Sequence, residues 1–194
     1  MKIAIYSGSF NPVHVGHLAI AEAALEQGYD EVWLVVSPQN PHKIDIDLWP
    51  FEDRMQMVRL AILNSKQLKA FDFENNLPRP SYTIHTLEYL KKSYPLNQFC
   101  LLIGGDNLQT FHLWKSHKEI IETFGLIVYP RSSGDTDQLG NHPNIHRINA
   151  PLFEISSSEI RKKLSENQSI HGLVSPEVEN YILYKLNNDG SNSD

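Results

Sequence analysis

Short apolar runs alternate along this chain with longer segments in which apolar residues recur every three or four positions. Runs of the first kind are typical of buried strands, and segments of the second kind are typical of amphipathic helices. The strand-like runs are residues 2–6, 31–37, 69–73, 98–103, 126–129 and 145–148. The helix-like segments are residues 18–25, 51–63, 83–94, 119–124, 156–164 and 176–186.

The alternation of strands and helices predicts an α/β fold. The run 31–37 is apolar at nearly every position, as in parallel strands that are covered on both faces. We therefore expect a doubly wound, Rossmann-like parallel sheet with helices on both faces and functional loops at the carboxyl ends of the strands. Residues 1–186 are expected to form a single domain, in which 130–151 is a loop, and 187–194 a flexible tail.

The segment SGSFNPVHVGH, residues 7–17, joins the first predicted strand to the first predicted helix. A loop at this place leaves unpaired backbone N–H groups and the positive end of a helix dipole together, which suits a phosphate. His14 and His17 are three positions apart, so both imidazoles project from one side of the helix start, while Gly16 lets a ligand approach the backbone. Two alternatives stay open: the histidines only cap the helix or pack locally, or they bind zinc, although helical zinc pairs usually lie four apart.

The segment ISSSEIR, residues 155–161, is the second strong signal. Ser156 and Glu159 have the spacing of a capping box, which predicts a helix that starts here and leaves open that the serine is only a cap. Arg161 lies one turn further and can fold back toward the helix N-terminus. It would there supply a fixed cation for phosphate oxygens.

Three other loops carry weaker signals. Gly104 and Asp106 directly follow a predicted strand, where glycine permits close approach of a ligand and the carboxylate could accept hydrogen bonds from a ribose. Lys43, in a proline-containing loop, is either a phosphate ligand or simply solvated. Trp114 is either a platform for an aromatic ring or part of the core.

Composition and charge narrow the classes of function. The chain has 194 residues and a formal net charge of −6, so it lacks the basic character of a nucleic-acid-binding protein. Cys100 is the single cysteine, which excludes an intrachain disulfide and suits a reducing compartment. No apolar stretch has the length of a membrane span, and no signal peptide is evident. We expect a soluble, cytoplasmic protein with no nucleic-acid or membrane partner, and a homo-oligomer is left open.

Residues 8–18 (GSFNPVHVGHL) and 155–161 resemble the two signatures of the (H/T)-x-G-H nucleotidyltransferases, and are most similar to those of the bacterial nicotinate-nucleotide adenylyltransferases. Departures from the usual pattern are Ser9 and Ser158 in place of Thr and Asn11 in place of Asp. The segments 40–43, 81–87, 104–108 and 113–115 also resemble the same family. The resemblance thus covers most of the chain.

The resemblance implies adenylyl transfer from ATP to nicotinic acid mononucleotide, which forms nicotinic acid adenine dinucleotide and pyrophosphate. Mg²⁺ would bridge phosphate oxygens, with no protein metal ligands assigned. The implied catalytic residues are His14, His17 and Arg161. The implied ATP-binding residues are Gly8, Ser9, Phe10, His14, Gly16, His17, Lys43, Gly104, Asp106, Ser156, Ser157, Ser158 and Arg161. The implied residues for the pyridine mononucleotide are Asn11, Tyr82, Thr83, Trp114 and Lys115.

Lys115 stands where the family usually has Tyr. Its positive charge could favour a carboxylate on the pyridine ring, whereas loss of a tyrosine side chain could weaken binding of the ring. Alternative functions are nicotinamide mononucleotide or pantetheine-phosphate adenylyl transfer, and a nucleotide-binding module without turnover.

Overall fold

The computed structural model contains a six-stranded, fully parallel sheet with the strand order β3-β2-β1-β4-β5-β6. It describes residues 1–38, 48–73, 82–130, 142–148 and 155–189. The strands are β1 Lys2–Gly8, β2 Glu31–Val36, β3 Leu68–Phe71, β4 Gln98–Gly104, β5 Leu126–Tyr129 and β6 Ile145–Arg147. The helices are α1 Val15–Glu26, α2 Phe51–Ala61, α3 Thr83–Ser93, α4 Gly105–Thr110, α5 His117–Thr123, α6 Ser157–Ser165 and α7 Pro176–Asp189, with a 3₁₀ turn at Phe111–Leu113.

Two apolar cores lie on opposite faces of the sheet. Successive residues of a strand point to opposite faces, so Ala4 and Tyr6 join one core while Ile3 and Ile5 join the other. Helices α1, α2, α6 and α7 cover the first face, and α3, α4 and α5 cover the second. Every strand of the centre is thus buried on both sides, as its continuous apolar sequence predicts.

The strand order creates a crevice beside β1. Strand β2 lies on one side of β1 in the sheet, and β4 lies on the other side. The connections that follow β1 and β4 therefore run in opposite directions, away from the gap between these two strands. Parallel α/β sheets bind ligands at this topological switch point, outside the carboxyl ends of the strands. The loop that follows β1 and the helix that follows β4 therefore meet where a site is expected.

The predicted fold class is confirmed, with changes at the element boundaries. Helix α4 was not predicted: the segment after β4 was expected to be a loop, whereas the strand passes directly into a helix. The last helix continues to Asp189, three residues past the expected end. The rest of the expected tail, 190–194, and most of the expected loop, 131–141 and 149–151, lie outside the described residues. No helix in the described part of the chain combines the length and apolar character needed to cross a bilayer.

Candidate active site

A pocket of about 250 Å³ opens at the carboxyl ends of β1 and β4. Almost all of the residues predicted for the site line it. They are Gly8, Ser9, Phe10, Asn11, His14, His17, Tyr82, Thr83, Gly104, Asp106, Trp114, Lys115, Ser156, Ser157, Ser158 and Arg161. Gly16 is buried in the first turn of α1 and does not line the pocket, and Lys43 lies outside the described residues. Loops from both ends of the chain therefore form one concave surface.

The two histidines are stacked at the start of α1. His14 is the N-cap residue and His17 the third helical residue, and their ring centroids are 3.7 Å apart. The backbone N–H of His14 donates to Nδ1 of His17 at 3.2 Å. Because Nδ1 accepts this bond, a neutral His17 carries its proton on Nε2, which can donate to a phosphate oxygen. The cap bond therefore uses the nitrogen that carries no proton in a neutral ring.

Phe10 shapes the loop between β1 and α1. Its φ of +45° lies in the left-handed region, which is uncommon for a residue with a side chain and makes a sharp bend. The buried ring packs edge-on against Tyr6 and against His17, with centroids 5.5 and 5.1 Å away. A Cβ at Gly8 would come within 3.2 Å of the same ring, so this glycine makes room for it. Phe10 thus supports the His17 imidazole from within the core.

The N-terminus of α6 is fastened to the loop that follows β1. Ser156 is the N-cap residue, and its hydroxyl accepts from the N–H of Glu159 at 3.1 Å, as the capping-box spacing predicts. The Ser157 hydroxyl donates to the carbonyl of Pro12 at 3.0 Å. Arg161 donates from Nη2 to the Ser158 hydroxyl at 3.2 Å and thereby turns back toward the helix start. The backbone N–H groups of the first turn and the guanidinium lie beside the histidine-bearing loop.

Asn11, in contrast, uses both of its oxygens as acceptors of hydrogen bonds from other residues of the protein. The residue is fully buried, and its side-chain Oδ1 accepts from the backbone N–H of Trp49 at 3.0 Å. Its main-chain carbonyl accepts from Nη1 of Arg161 at 2.8 Å. The predicted contact of Asn11 with the pyridine mononucleotide stays a prediction.

An aromatic and cationic cluster forms the other end of the pocket. The ammonium of Lys115 lies 4.5 Å from the centre of the Tyr82 ring and donates to Nε2 of His85 at 3.2 Å. Trp114 is half-buried, with its ring 5.2 Å from that of Phe111. The cluster therefore offers an aromatic face and a positive charge next to each other.

Comparisons with known proteins agree on one family. The family model for cytidylyltransferase-like proteins matches residues 5–163. The chain is 45% identical to a probable nicotinate-nucleotide adenylyltransferase of Bacteroides fragilis, over 99% of this chain and 96% of that protein. It is 47% identical to the protein of the same name from Cytophaga hutchinsonii, over 94% of this chain and 96% of that protein. This chain belongs to the nicotinate-nucleotide adenylyltransferase family.

Membership in this family confirms the resemblance found in the two sequence signatures. The fold is also similar to that of Plasmodium falciparum nicotinic acid mononucleotide adenylyltransferase complexed with NaAD, with a TM-score of 0.80 over 97% of each chain. Because these two sequences are only 24% identical, the comparison concerns the fold alone.

The pocket fits a metal ion that is carried by a phosphate chain. Among the described residues, no group of three or more His, Cys, Asp and Glu side chains is placed to hold a metal ion. Asp106 is the only carboxylate among the described residues that line the pocket. Mg²⁺ is commonly bound by one or two carboxylates, by substrate phosphates and by water. The single carboxylate of the described lining therefore suits Mg²⁺ that takes most of its ligands from phosphates and water.

Arg54 is the main residue of this region that the sequence analysis missed. It is 1% exposed, lies on α2 and contacts the loops behind the pocket wall. A signal for it exists, since Arg54 is four positions before Val58 and thus falls on the apolar stripe of the helix. A cation on a core-facing stripe needs buried partners, and spacing alone does not say which residues supply them.

Proposed function

We propose that this chain transfers the adenylyl group of ATP to nicotinic acid mononucleotide, giving nicotinic acid adenine dinucleotide and pyrophosphate. The observation that carries the proposal is the meeting of the His14–His17 pair with the N-terminus of α6 in one pocket. A phosphate oxygen of the mononucleotide attacks the α-phosphorus of ATP. The bond from that phosphorus to the oxygen shared with the β-phosphorus breaks, and its electrons leave with pyrophosphate.

This reaction asks for positioning rather than for a strong base. A phosphate monoester has its second pKa near about 6, so the attacking oxygen is already largely ionised at neutral pH. Catalysis then comes from alignment of the reactants and from stabilisation of charge on the transferring and leaving phosphates. When bound, Mg²⁺ would supply further neutralisation of the phosphate charge.

Each wall of the pocket has its own part in this proposal. His14 and His17 hydrogen-bond the reacting phosphate, while Ser157, Ser158 and Arg161 hold the departing pyrophosphate. For Ser157 the donor is its backbone N–H, since its hydroxyl proton is used by Pro12.

The remaining residues bind the nucleosides. Asp106, beside Gly104, accepts from ribose hydroxyls. Tyr82, Thr83 and Trp114 hold the pyridine ring of the acceptor. We place this reaction in the cytoplasm. A chain whose single cysteine, Cys100, is a free thiol suits a reducing compartment.

Lys115 favours nicotinic acid mononucleotide over the nicotinamide form as acceptor. An ammonium at the aromatic end of the pocket attracts the carboxylate of nicotinate and gains nothing comparable from a neutral amide. Because Lys115 is exposed, its charge makes only a modest contribution to the discrimination between the two acceptors.

The test is an acceptor panel. The protein is incubated with ATP, Mg²⁺ and, in turn, nicotinic acid mononucleotide, nicotinamide mononucleotide and phosphopantetheine, and pyrophosphate release is followed. We expect the highest kcat/KM with nicotinic acid mononucleotide. Faster turnover of either other acceptor, or ATP binding without pyrophosphate release, would overturn the proposal.

A further inference from the structure

The guanidinium of Arg54 is enclosed by main-chain carbonyls from three segments. Its Nε donates to Trp49 at 2.9 Å, and its Nη2 donates to Pro38 at 3.0 Å. Its Nη1 donates both to Ser9 at 2.8 Å and to Ser37 at 2.7 Å. The side chain therefore joins the loop after β1, the loop after β2 and Trp49, two positions before the start of α2.

These bonds begin where the sheet ends. Strands β1 and β2 are in register up to Gly8 and Val36, and the N–H of Ser37 donates to the carbonyl of Gly8 at 2.9 Å. Beyond that bond the two segments separate, and Arg54 donates a hydrogen bond to the next main-chain carbonyl of each, at Ser9 and at Ser37. Guanidinium suits this task because its N–H groups have a fixed planar arrangement, whereas an ammonium has no such fork.

Ser9 and Ser37 both line the candidate active-site pocket, so Arg54 lies directly behind its wall. The Ser9 loop continues into the His14–His17 pair, and a shift of Ser9 would move both imidazoles relative to the phosphates. Binding and turnover would then depend on a side chain that does not touch substrate.

The positive charge of Arg54 is held without a carboxylate partner among the hydrogen bonds of the described residues. The neighbouring Asp53 faces the other way: it accepts from the Tyr181 hydroxyl at 2.6 Å and pairs with Lys185 at 3.1 Å, both on α7. Burial lowers the pKa of Arg54, but an arginine starts so high that it stays protonated at neutral pH. A buried cation thus lies behind a wall that faces polyphosphate.

We propose that Arg54 is a positioning residue of adenylyl transfer, which clamps the Ser9 and Ser37 loops so that the histidine pair meets the phosphates of ATP. The inference rests on the proposed function for its kinetic test. A separate measurement of ATP affinity tests it without turnover.

The variants are Arg54→Lys, which keeps the charge, and Arg54→Ala, which removes the side chain. Arg59→Ala, an exposed change on the same helix, is the matched control. Displacement of catalytic groups by about 1 Å can cost ~10²-fold in rate, so we expect kcat/KM for ATP to fall by about that factor in Arg54→Lys. Part of the loss should appear as a raised KM, and Arg59→Ala should behave as wild type.

The KM separates positioning from mere stability. A variant that is partly unfolded has fewer active molecules, which lowers apparent kcat but leaves KM unchanged. A folded Arg54→Lys protein with wild-type KM and kcat would overturn the proposal, and so would loss of folding in both Arg54 variants, since the side chain would then serve stability.

Chemical rescue gives an independent readout. Guanidinium chloride, well below unfolding concentrations, should restore part of the activity of Arg54→Ala, whereas sodium chloride at equal ionic strength should not. If the wild type is inactive with every acceptor, the proposed function fails. The role of Arg54 is then tested by calorimetric titration of each protein with ATP. Weaker ATP binding by Arg54→Lys than by the wild type supports the clamp, and equal binding overturns it.

Discussion

The guanidinium of Arg161 donates a hydrogen bond to the main-chain carbonyl of Asn11 at 2.8 Å, although 150 positions separate the two residues in the chain. The Ser157 hydroxyl makes a parallel bond to Pro12 at 3.0 Å. These two contacts join the start of α6 to the loop that carries the histidine pair. Donors from the two ends of the sequence thereby share one pocket wall.

Arg161→Lys tests this junction. A lysine keeps the positive charge but cannot reproduce both the bond to Asn11 and the bond to Ser158. We expect kcat/KM to fall ~10²-fold through loss of alignment, and the free energy of unfolding to fall by about 1 kcal/mol. Steady-state kinetics and urea denaturation measure the two effects. Lys162→Ala, an exposed neighbour, should change neither, and a fully active Arg161→Lys protein would exclude a role in catalysis.

Replacement of His17 separates its cap bond from its proposed contact with phosphate. Glutamine at the third helical position can accept the N–H of the N-cap residue, so His17→Gln should preserve the start of α1. The amide of glutamine keeps N–H groups but does not hold one at the place of the imidazole N–H, and loss of one aligned donor to a reacting phosphate typically costs ~10²–10³ in turnover. We expect a folded protein with kcat reduced by about that factor, while the exposed control His146→Ala stays at wild-type activity. Near-normal turnover of His17→Gln would leave only the cap role.

Lys115→Gln tests the preference for a charged acceptor. The ammonium is exposed, and exposed ion pairs contribute at most about 1 kcal/mol, so the ratio of kcat/KM for nicotinic acid over nicotinamide mononucleotide should drop ~2- to 5-fold. The difference between variant and wild type should shrink at high salt because the attraction is screened. Lys118→Gln serves as the control. An unchanged ratio would assign the preference to backbone or tyrosine groups instead.

The buried thiol of Cys100 predicts lower stability in alkaline solution. Burial raises the pKa of Cys100 from 9.0 to about 11, and the pKa of its hydrogen-bonded neighbour Tyr29 is raised as well. Between pH 9 and pH 11 the unfolded chain releases the thiol proton while the folded chain keeps it, so the unfolded state binds fewer protons and stability falls as pH rises. Over about two pH units the loss is about 2–3 kcal/mol.

Urea denaturation from pH 8 to pH 11 measures this loss. Cys100→Ala should show a shallower decline over the same range, and the remaining slope should come from groups such as Tyr29. Identical pH profiles for the two proteins would contradict a folded-state thiol with a raised pKa.

Part of the site was predictable because its signals are local. The spacing of His14 and His17 is enough to place two rings on one side of a helix start, and the Ser156–Glu159 pair is enough to start α6. Helix α4 was missed for the same reason: Gly104 and Gly105 disfavour a helix by their local preferences, whereas the packing of Leu108 in the core is a contact that local preference does not show.

The sequence by itself determined the parallel α/β fold and the family, since apolar periodicity and two short motifs are properties of neighbouring residues. Only the tertiary structure decided which ring nitrogen of His17 accepts the cap bond, that Arg161 and Asn11 meet, and that Arg54 lies behind the pocket wall. Those contacts join main-chain carbonyls and side chains from loops far apart in the chain. Their geometry follows from the order of the strands, which no local spacing encodes.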